Sequence, residues 1–290
     1  MNGTAQAIAH GAATIINAIA LGKGAAFGVR LSTKAKVTLT DEPQVITGKI
    51  NSDPTENTLL IEKTVTHVFQ RFKVEKRFGA KVQTWSEIPI ARGLKSSSAA
   101  ANAVALATVA ALGEKLDDLE IVKLGVAAAF DAKVTVTGAF DDACASYFGG
   151  AVITNNTKKR IVKRSTLPED LTVLFHVPAQ KAYTADSNVN RLKLVKPLLQ
   201  IAYKEATKGK FWDALSLNGL IYSATLGYDT SAALDALAAG AVAAGLCGKG
   251  PAVTAVVADD KVETVKQALQ SHKGAVLQTY VNHEKAKVTA

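Results

Sequence analysis

The chain alternates between short runs of β-branched residues and longer stretches in which apolar residues recur with helical spacing. Short alternating runs are typical of strands, and the spacing of Leu60, Ile61, Val65 and Val68 is typical of an amphipathic helix. The second half reads strand, helices, strand, helix, strand, which is the pattern of an α+β sandwich. The predicted strands are 37–40, 45–50, 81–85, 171–177, 253–257 and 276–280. The predicted helices are 57–72, 99–112, 119–132, 192–207, 211–226, 231–244 and 261–269.

The most distinctive stretch is the loop 88–98, which leads into an alanine-rich run with almost no β-branched residue. Pro89 and Gly93 punctuate the loop, and three serines follow them. Gly93 permits a positive φ or a close backbone approach, and the serines can cap the helix behind them. The free amides and the dipole at such a helix start attract anions such as phosphate. Taken alone, the stretch fits a phosphate site or an ordinary serine-capped helix.

Residues 10–31 contain a short apolar segment followed by a turn of small residues with Gly22, Gly24 and Gly28. These glycines resemble a dinucleotide-binding fingerprint, and Asp41 ends the next strand-like run. However, three residues instead of two separate the last glycines, and little room remains for a crossover helix. We therefore favour a turn between strands that lines a substrate site.

The segment 134–146 places two adjacent acids, Asp141 and Asp142, among small and apolar residues. Such neighbours predict partial burial rather than a solvated charge run. A buried carboxylate needs a partner such as a metal, a lysine or a ligand. The alternative is a pair of helix-capping aspartates.

Composition describes an ordinary folded protein, with 48% hydrophobic and 20% charged residues. The net charge of +9 is compatible with nucleic-acid binding or with small anionic substrates. Basic residues are scattered, with the densest cluster at 158–164, and aromatic residues make up only 6% of the chain. Because no aromatic-plus-basic stacking pattern occurs, small anions are the favoured partners.

Cys144 and Cys247 are the only cysteines, and one pair so far apart is no disulfide framework, which fits a reducing cytoplasm. No run of about 18 apolar residues lacks charge or glycine, so we expect no membrane span. The start has no basic segment before its apolar residues, which argues against a secretory signal. A composition shift at 155–164 predicts a boundary between a domain at 1–157 and a domain at 158–290.

Three stretches together resemble the GHMP kinase superfamily. Its central motif, Pro-x-x-x-Gly-Leu-x-Ser-Ser-x-Ala, matches 89–99, and its C-terminal glycine loop resembles 245–251. Its acidic segment, Ser/Thr-Gly-x-Asp-Asn-Ala, resembles 137–143 with one extra residue. The residues of the first and third stretches are similar to those of the archaeal shikimate kinase branch. No Gly-x-x-x-x-Gly-Lys-Ser/Thr occurs, so a P-loop kinase is not indicated.

The resemblance implies a two-lobed α+β fold, with an N-terminal lobe like ribosomal protein S5 domain 2 and a ferredoxin-like C-terminal lobe. It also implies a kinase that uses ATP and Mg²⁺ to phosphorylate the 3-hydroxyl of shikimate, as a monomer or homodimer that binds neither nucleic acid nor membrane. One alternative keeps the family and changes the substrate to homoserine or a mevalonate-type alcohol. A different alternative is a non-catalytic basic protein that binds nucleic acid.

Residue by residue, the resemblance implies that two backbone loops wrap the ATP phosphates. Ser97 aligns with a magnesium-binding serine, and Asp131 stands where some members place an acidic second ligand. The implied phosphate-binding residues are Pro89, Ile90, Ala91, Arg92, Gly93, Leu94, Lys95, Ser96, Ser97, Ser98, Ala99, Gly248 and Gly250.

The implied catalytic residue is Asp141 or Asp142, with Asp141 favoured, because the extra residue in the segment leaves the choice open. It would accept or orient the substrate hydroxyl during in-line attack on the γ-phosphoryl. Asn17 corresponds to the substrate-lining region. The residues at 25–27 lack the acid that homoserine kinases carry there, which suits an amine-free carboxylate substrate. Arg191 is the predicted cation for that carboxylate.

Overall fold

The computed structural model describes residues 3–90, 92–135, 138–179 and 189–290. Two antiparallel-rich sheets and eight α-helices form two lobes within these ranges. The strands are β1 Thr4–Ile16, β2 Lys23–Thr40, β3 Ile46–Ile50, β4 Gly79–Ser86, β5 Ala151–Asn155, β6 Arg160–Ser165, β7 Leu171–Val177, β8 Ala243–Leu246, β9 Val253–Ala258, β10 Ala275–Tyr280 and β11 Lys287–Val288. The helices are α1 Leu59–Phe72, α2 Ser96–Ala111, α3 Asp118–Asp131, α4 Phe140–Phe148, α5 Lys196–Thr207, α6 Phe211–Leu226, α7 Ser231–Ala238 and α8 Val262–Gln270.

The larger sheet is built on a long antiparallel hairpin of β1 and β2. Its turn closes with a hydrogen bond of 2.8 Å from the Gly22 amide to the Ala18 carbonyl, and Gly22 has a φ of +64°. Gly24 and Gly28 lie within β2 rather than in a turn, so the predicted glycine turn is shorter than expected. Because β1 and β2 are antiparallel neighbours, the stretch is not a dinucleotide-binding crossover.

Helix α2 occupies the centre of the first lobe and is buried on nearly every side. It packs against β1 and β2 and is flanked by α1, α3 and α4. Small residues permit this crowding: a Cβ added at Gly125 on α3 would lie 3.2 Å from the Cβ of Ala101 on α2. The two helices rich in small residues, α2 and α3, thus pack closely against each other. The position of the α2 N-terminus is therefore set by a rigid core.

The second lobe places β7, β8, β9 and β10 in one sheet, in the order β10-β7-β9-β8. The predicted helix at 231–244 is wrong in its second half. Helix α7 ends at Ala238, Gly240 has a φ of +104°, and the alanines that follow form strand β8 beside β9. Pairing with β9 overrides the helix propensity of alanine here.

The sheet to which each strand belongs shows where the chain crosses from one lobe to the other. Strand β6 pairs with β5 in the larger sheet, although the predicted second domain begins at residue 158. The last strand, β11, returns to the larger sheet and pairs with β1. Both ends of the second lobe are thus connected to the first. Across the described ranges, no helix has the length and apolar character needed to cross a bilayer.

Candidate active site

A cavity of about 340 Å³ opens where the loops of the two lobes meet. Its wall contains the serine loop, the two acids and the second glycine loop, which are far apart in sequence. The structure thus brings together three of the stretches from which a site was predicted. The predicted site residues that line the cavity are Asn17, Ile90, Gly93, Lys95, Ser96, Ser97, Ser98, Asp141, Asp142, Gly248 and Gly250.

The serine loop does not end in a serine cap. The N-cap of α2 is Lys95, which has the left-handed conformation φ 66°, ψ 28°, and no side chain caps the helix. The three serines form the first turn instead, so the expectation of a capping serine is wrong. The first amides of a helix have no intrahelical acceptor. The amides of Ser96, Ser97 and Ser98 therefore start the helix at the cavity wall without a side-chain cap.

The two glycine-containing loops contact each other directly. The Cys247 thiol donates to the Gly93 carbonyl at 3.1 Å, and the Ala252 amide donates to the Arg92 carbonyl at 3.2 Å. Gly93 has a φ of +88°, and a Cβ there would collide with the Cys247 carbonyl. The predicted positive φ and close backbone approach at Gly93 are confirmed. Any side chain at this position would push the loops apart.

Asn17, in the turn after β1, holds the second glycine loop in place. Its side-chain amide donates to the Gly248 carbonyl at 2.9 Å, and its side-chain oxygen accepts from the Ile19 amide at 3.0 Å. The Gly248 amide in turn donates to Thr14 Oγ1 at 3.0 Å. Asn17 lines the cavity, but these bonds give it a structural task as well. Its role as a substrate contact stays a prediction.

Asp141 and Asp142 lie in the first turn of α4, with 3% and 7% of their surfaces exposed. The predicted burial of both acids is confirmed, and neither caps the helix. The N-cap of α4 is Ala139, which also has the left-handed conformation, with φ 47°. The carboxylates therefore depend on partners from other elements, and each has a different one.

Asp141 is paired with an amide. Asn156 Nδ2 donates to Asp141 Oδ1 at 2.7 Å, and Thr154 Oγ1 donates to the Asn156 side-chain oxygen at 2.6 Å. Gly24 on β2 leaves room for this carboxylate, since a Cβ there would lie 2.6 Å from Asp141 Cγ. Burial raises the pKa of Asp141 to about 7, and the nearby Asp142 carboxylate adds to the rise. The hydrogen bond from Asn156 opposes it, because that bond stabilises the charged form.

Asp142 is paired with a lysine. Lys95 Nζ lies 2.9 Å from Asp142 Oδ2, and the two side chains are only 11% and 10% exposed. Removing one partner of such a buried pair typically costs about 3–5 kcal/mol, because the other charge is left uncompensated. Within the described residues, Asp142 Oδ1 is buried and has no hydrogen-bond partner. Asp142 is thus the counterion of Lys95, whereas Asp141 is held by the neutral side-chain amide of Asn156.

Other predicted residues do not meet at the cavity. Asp131 ends α3 and pairs with His67, with 2.9 Å between its Oδ2 and His67 Nε2, and it is not a lining residue. Arg191 is exposed in a short 3₁₀ turn and does not line the cavity either. The described residues hold no cluster of three or more His, Cys, Asp or Glu side chains arranged for a metal ion. The roles of Asp131 and Arg191 stay predictions.

The rest of the serine loop supports the site from behind. Leu94 and Ala99 are buried in the core, and Arg92 contributes the carbonyl that binds the second loop. Pro89 is not among the lining residues, and Ala91 lies outside the described residues.

Two functional neighbours escaped prediction from the sequence. Asn156 follows β5 and reaches Asp141 across fifteen positions of sequence. Lys95 was expected to contribute a backbone amide, but its side chain points to Asp142. The polar pair Thr154 and Asn156, placed at the end of an otherwise apolar strand, is the one signal that could have indicated a buried partner.

Comparison with known proteins agrees with this arrangement. The family model described as GHMP kinases N terminal domain matches residues 60–150. A shikimate kinase of Methanosarcina mazei is 49% identical over 283 residues, which cover 97% of this chain and 95% of the relative.

Solved structures extend the likeness to the whole fold. A homoserine kinase of Cytophaga hutchinsonii aligns over 100% of this chain and 98% of its own, with a TM-score of 0.74 and 18% identity. A structure of MDDEF in complex with MVAPP, AMPPCP and magnesium aligns over 100% of this chain and 99% of its own, with a TM-score of 0.70 and 18% identity. At such identities the likeness concerns the fold alone. The expected two-lobed α+β fold is confirmed, and the chain belongs to the GHMP kinase family.

Proposed function

We propose that this chain is an ATP-dependent shikimate kinase. It transfers the γ-phosphoryl of ATP to the 3-hydroxyl of shikimate, giving ADP and shikimate 3-phosphate for the synthesis of chorismate and aromatic amino acids. The observation that carries the proposal is the similarity of nearly the whole chain to an archaeal shikimate kinase, at 49% identity. The cavity supports it, because residues of the predicted phosphate-binding loops and both predicted catalytic acids line it together.

The polyphosphate of ATP binds at the start of α2. Three free amides, those of Ser96, Ser97 and Ser98, combine there with the positive end of the helix dipole. Gly93 and the Gly248 loop bring further backbone close to the same place. Apolar lining residues on β3 and α1, such as Ile50 and Leu60, suit the nucleoside end of the molecule. A nucleotide therefore fits with its phosphates toward the acids.

The cavity offers oxygen donors that suit Mg²⁺, a cation that binds few protein ligands and keeps several waters. Ser97 places a hydroxyl in the lining beside the phosphate-binding amides, so it would hold the ion together with phosphate oxygens. When bound, Mg²⁺ neutralises charge on the β- and γ-phosphates. Asp131, which is paired with His67, is not needed for this set.

Asp141 is the acceptor of the substrate proton. Its pKa of about 7 suits a group that takes a proton at neutral pH, since the ideal base has a pKa near the working pH. As the alcohol oxygen bonds to the γ-phosphorus, the bond from that phosphorus to the β,γ-bridging oxygen breaks, and the hydroxyl proton passes to Asp141. Asp142 is the weaker candidate because it already neutralises Lys95.

The acceptor alcohol occupies the part of the cavity beside Asn17 and Asp141. The residues at 25–27, Ala-Ala-Phe, are fully buried and supply no acid for an amino group. This favours a carboxylate alcohol without an amine. Arg191 is retained as a candidate for the carboxylate, to be tested by substitution.

An ADP-release assay with several alcohols tests the proposal. The chain is incubated with ATP, Mg²⁺ and shikimate, homoserine or mevalonate, and the product is identified by mass spectrometry and ³¹P NMR. We expect turnover with shikimate and a phosphate ester at its 3-oxygen. Turnover with homoserine or mevalonate alone would reassign the substrate. Absence of turnover with every alcohol, together with salt-dependent retention on nucleic acid, would overturn the kinase proposal.

A further inference from the structure

We propose that Lys95 is a catalytic residue, whose ammonium contacts the transferred phosphoryl group while Asp142 holds it in position. This inference deepens the proposed function and rests on it. It assigns the side chain of a residue that the motif had suggested only as a backbone contact. Four observations support it, and they concern the backbone, the side chain, the charge and the neighbouring loop.

The backbone of Lys95 is the first observation. Its left-handed conformation, φ 66° and ψ 28°, is one that glycine adopts freely and that a residue with a Cβ adopts at a cost. Such costs persist mainly where the surroundings or the function require the residue. A glycine at this N-cap would satisfy the backbone, so the side chain carries the reason for lysine.

The side chain of Lys95 lines the cavity and is held at its end. Its Nζ lies 2.9 Å from Asp142 Oδ2, and both side chains are nearly buried. An ammonium has three N–H donors, and the ion pair with Asp142 occupies one side of the group. A carboxylate partner thereby fixes the ammonium before the ligand arrives, which avoids reorganisation during the reaction.

The charge of Lys95 is compensated by an ion pair. The Asp142 carboxylate, 2.9 Å from Nζ, is its counterion, so the nearly buried ammonium is not left as an isolated charge. The Lys95 ammonium therefore meets a ligand as a paired cation. It is suited to hold negative oxygens and unsuited to accept a proton, which leaves that task to Asp141.

The second glycine loop shows where the ammonium lies. A Cβ added at Gly248 would lie 2.7 Å from Lys95 Nζ, so the ammonium rests over the glycine. Lys95 Nζ is thus placed between the loop that starts α2, the loop from the other lobe and the acids of α4. A phosphoryl group in transit from the α2 amides to an alcohol beside Asp141 would pass this cation.

In the reaction, Lys95 keeps its proton throughout. The alcohol oxygen forms its bond to the γ-phosphorus, the bond to the leaving ADP oxygen breaks, and the proton moves to Asp141. Lys95 contributes by neutralising charge on the equatorial oxygens as they pass between donor and acceptor. Phosphoryl transfer depends mainly on such positioning and charge stabilisation.

The test compares Lys95→Met with Lys115→Met, a matched control on an exposed loop outside the cavity. We expect Lys95→Met to lower kcat about 100- to 1000-fold while the Kd for ATP, measured by fluorescence or calorimetry, rises less than about tenfold. The control should change neither value. A folded Lys95→Met enzyme with unchanged kcat would overturn the inference. An equal loss in ATP affinity and in kcat/KM with normal kcat would also overturn it, because Lys95 would then only bind.

Lys95→Met leaves Asp142 without its cation, so the variant could fail to fold. The double variant Lys95→Met/Asp142→Asn removes both charges and keeps the test open. We expect it to fold, to bind ATP and to remain at least 100-fold slower than the wild type. Near-normal turnover of the double variant would overturn the inference. If the wild type turns over no alcohol, the proposed function fails first, and the two failures are distinguishable.

Discussion

Helices α2 and α4 begin with the same backbone conformation but present groups of opposite electrostatic character at the cavity. Each starts at a non-glycine residue in the left-handed conformation, Lys95 for α2 and Ala139 for α4, and neither has a side-chain cap. The first turn of α2 contains three serines and no acid, whereas that of α4 contains Asp141 and Asp142. One helix start thus offers free amides to an anion, and the other fills the same kind of place with its own carboxylates.

In the proposed mechanism, this difference separates phosphate binding from proton transfer. Amides belong to the backbone, so the three serines in the first turn of α2 should tolerate changes of side chain better than the acids of α4. Carboxylates act through single atoms, so the α4 end should lose function with one substitution.

The largest effect is expected at the α4 end. Asp141→Asn removes the proposed proton acceptor and keeps the shape, so kcat should fall by about 10²–10⁴ while the Kd for ATP stays nearly unchanged. Steady-state kinetics and equilibrium binding measure the two values. Asp170→Asn, on an exposed turn, is the matched control. An unaffected kcat would show that Asp141 takes no part in the mechanism. The contrast between the starts of α2 and α4 would then fail as well.

A smaller effect is expected for the serines in the first turn of α2. Ser97→Ala leaves the amide in place and removes one hydroxyl from the predicted magnesium shell, so kcat/KM should fall by about tenfold or less at saturating metal. The concentration of Mg²⁺ needed for half-maximal rate should rise. Rates measured across a magnesium titration check both effects. An unchanged magnesium dependence would assign the ion to other ligands.

The third prediction concerns the pH at which Asp141 becomes active. Asp141 must be deprotonated to accept a proton, so activity should rise as the pH passes its pKa of about 7. Asn156→Ala removes the hydrogen bond that favours the charged form, so the acid limb should move to higher pH. At pH 6 the rate should be roughly three- to tenfold lower than in the wild type.

Asn155→Ala is the matched control for Asn156, because its side chain binds the Lys158 amide rather than an acid. Its pH profile should overlay that of the wild type. A profile for Asn156→Ala that also overlays would show that the Asn156 bond does not tune Asp141.

The smallest effect concerns stability alone. Ala139 has a φ of 47°, where glycine is favoured, so Ala139→Gly should raise the free energy of unfolding by about 0.5–1 kcal/mol. Denaturant unfolding measures this change, and kcat should stay within about twofold. A destabilised variant would mean that the Ala139 methyl group contributes packing at the start of α4.

Much of the fold could be predicted from the sequence where one kind of signal dominates. Strand β7 and helix α6 have the predicted bounds, because their apolar patterns are long and their neighbours are turn residues. Strand β1 was expected only as a strand without bounds before the glycine turn, and β8 was missed, because alanine, a strong helix former and a weak strand former, is frequent in both. Only their pairing with β2 and β9 makes them strands, and pairing is not visible in one segment.

The features of the site likewise divide into those that the sequence predicts and those that only the structure reveals. The motif around Gly93 predicts its positive φ and its contact with other backbone, because only glycine tolerates both. The buried acids were predicted from their apolar neighbours. The assignment of Asn156 to Asp141 and of Lys95 to Asp142 needed the structure, since Asn156 follows β5, Lys95 precedes α2 and both acids lie on α4.

The most direct test of the account is a crystal structure with a non-hydrolysable ATP analogue, Mg²⁺ and shikimate. We expect triphosphate oxygens within hydrogen-bond distance of the Ser96, Ser97 and Ser98 amides, and the 3-hydroxyl of shikimate facing Asp141. A triphosphate bound away from the start of α2, or a shikimate hydroxyl out of reach of Asp141, would contradict it.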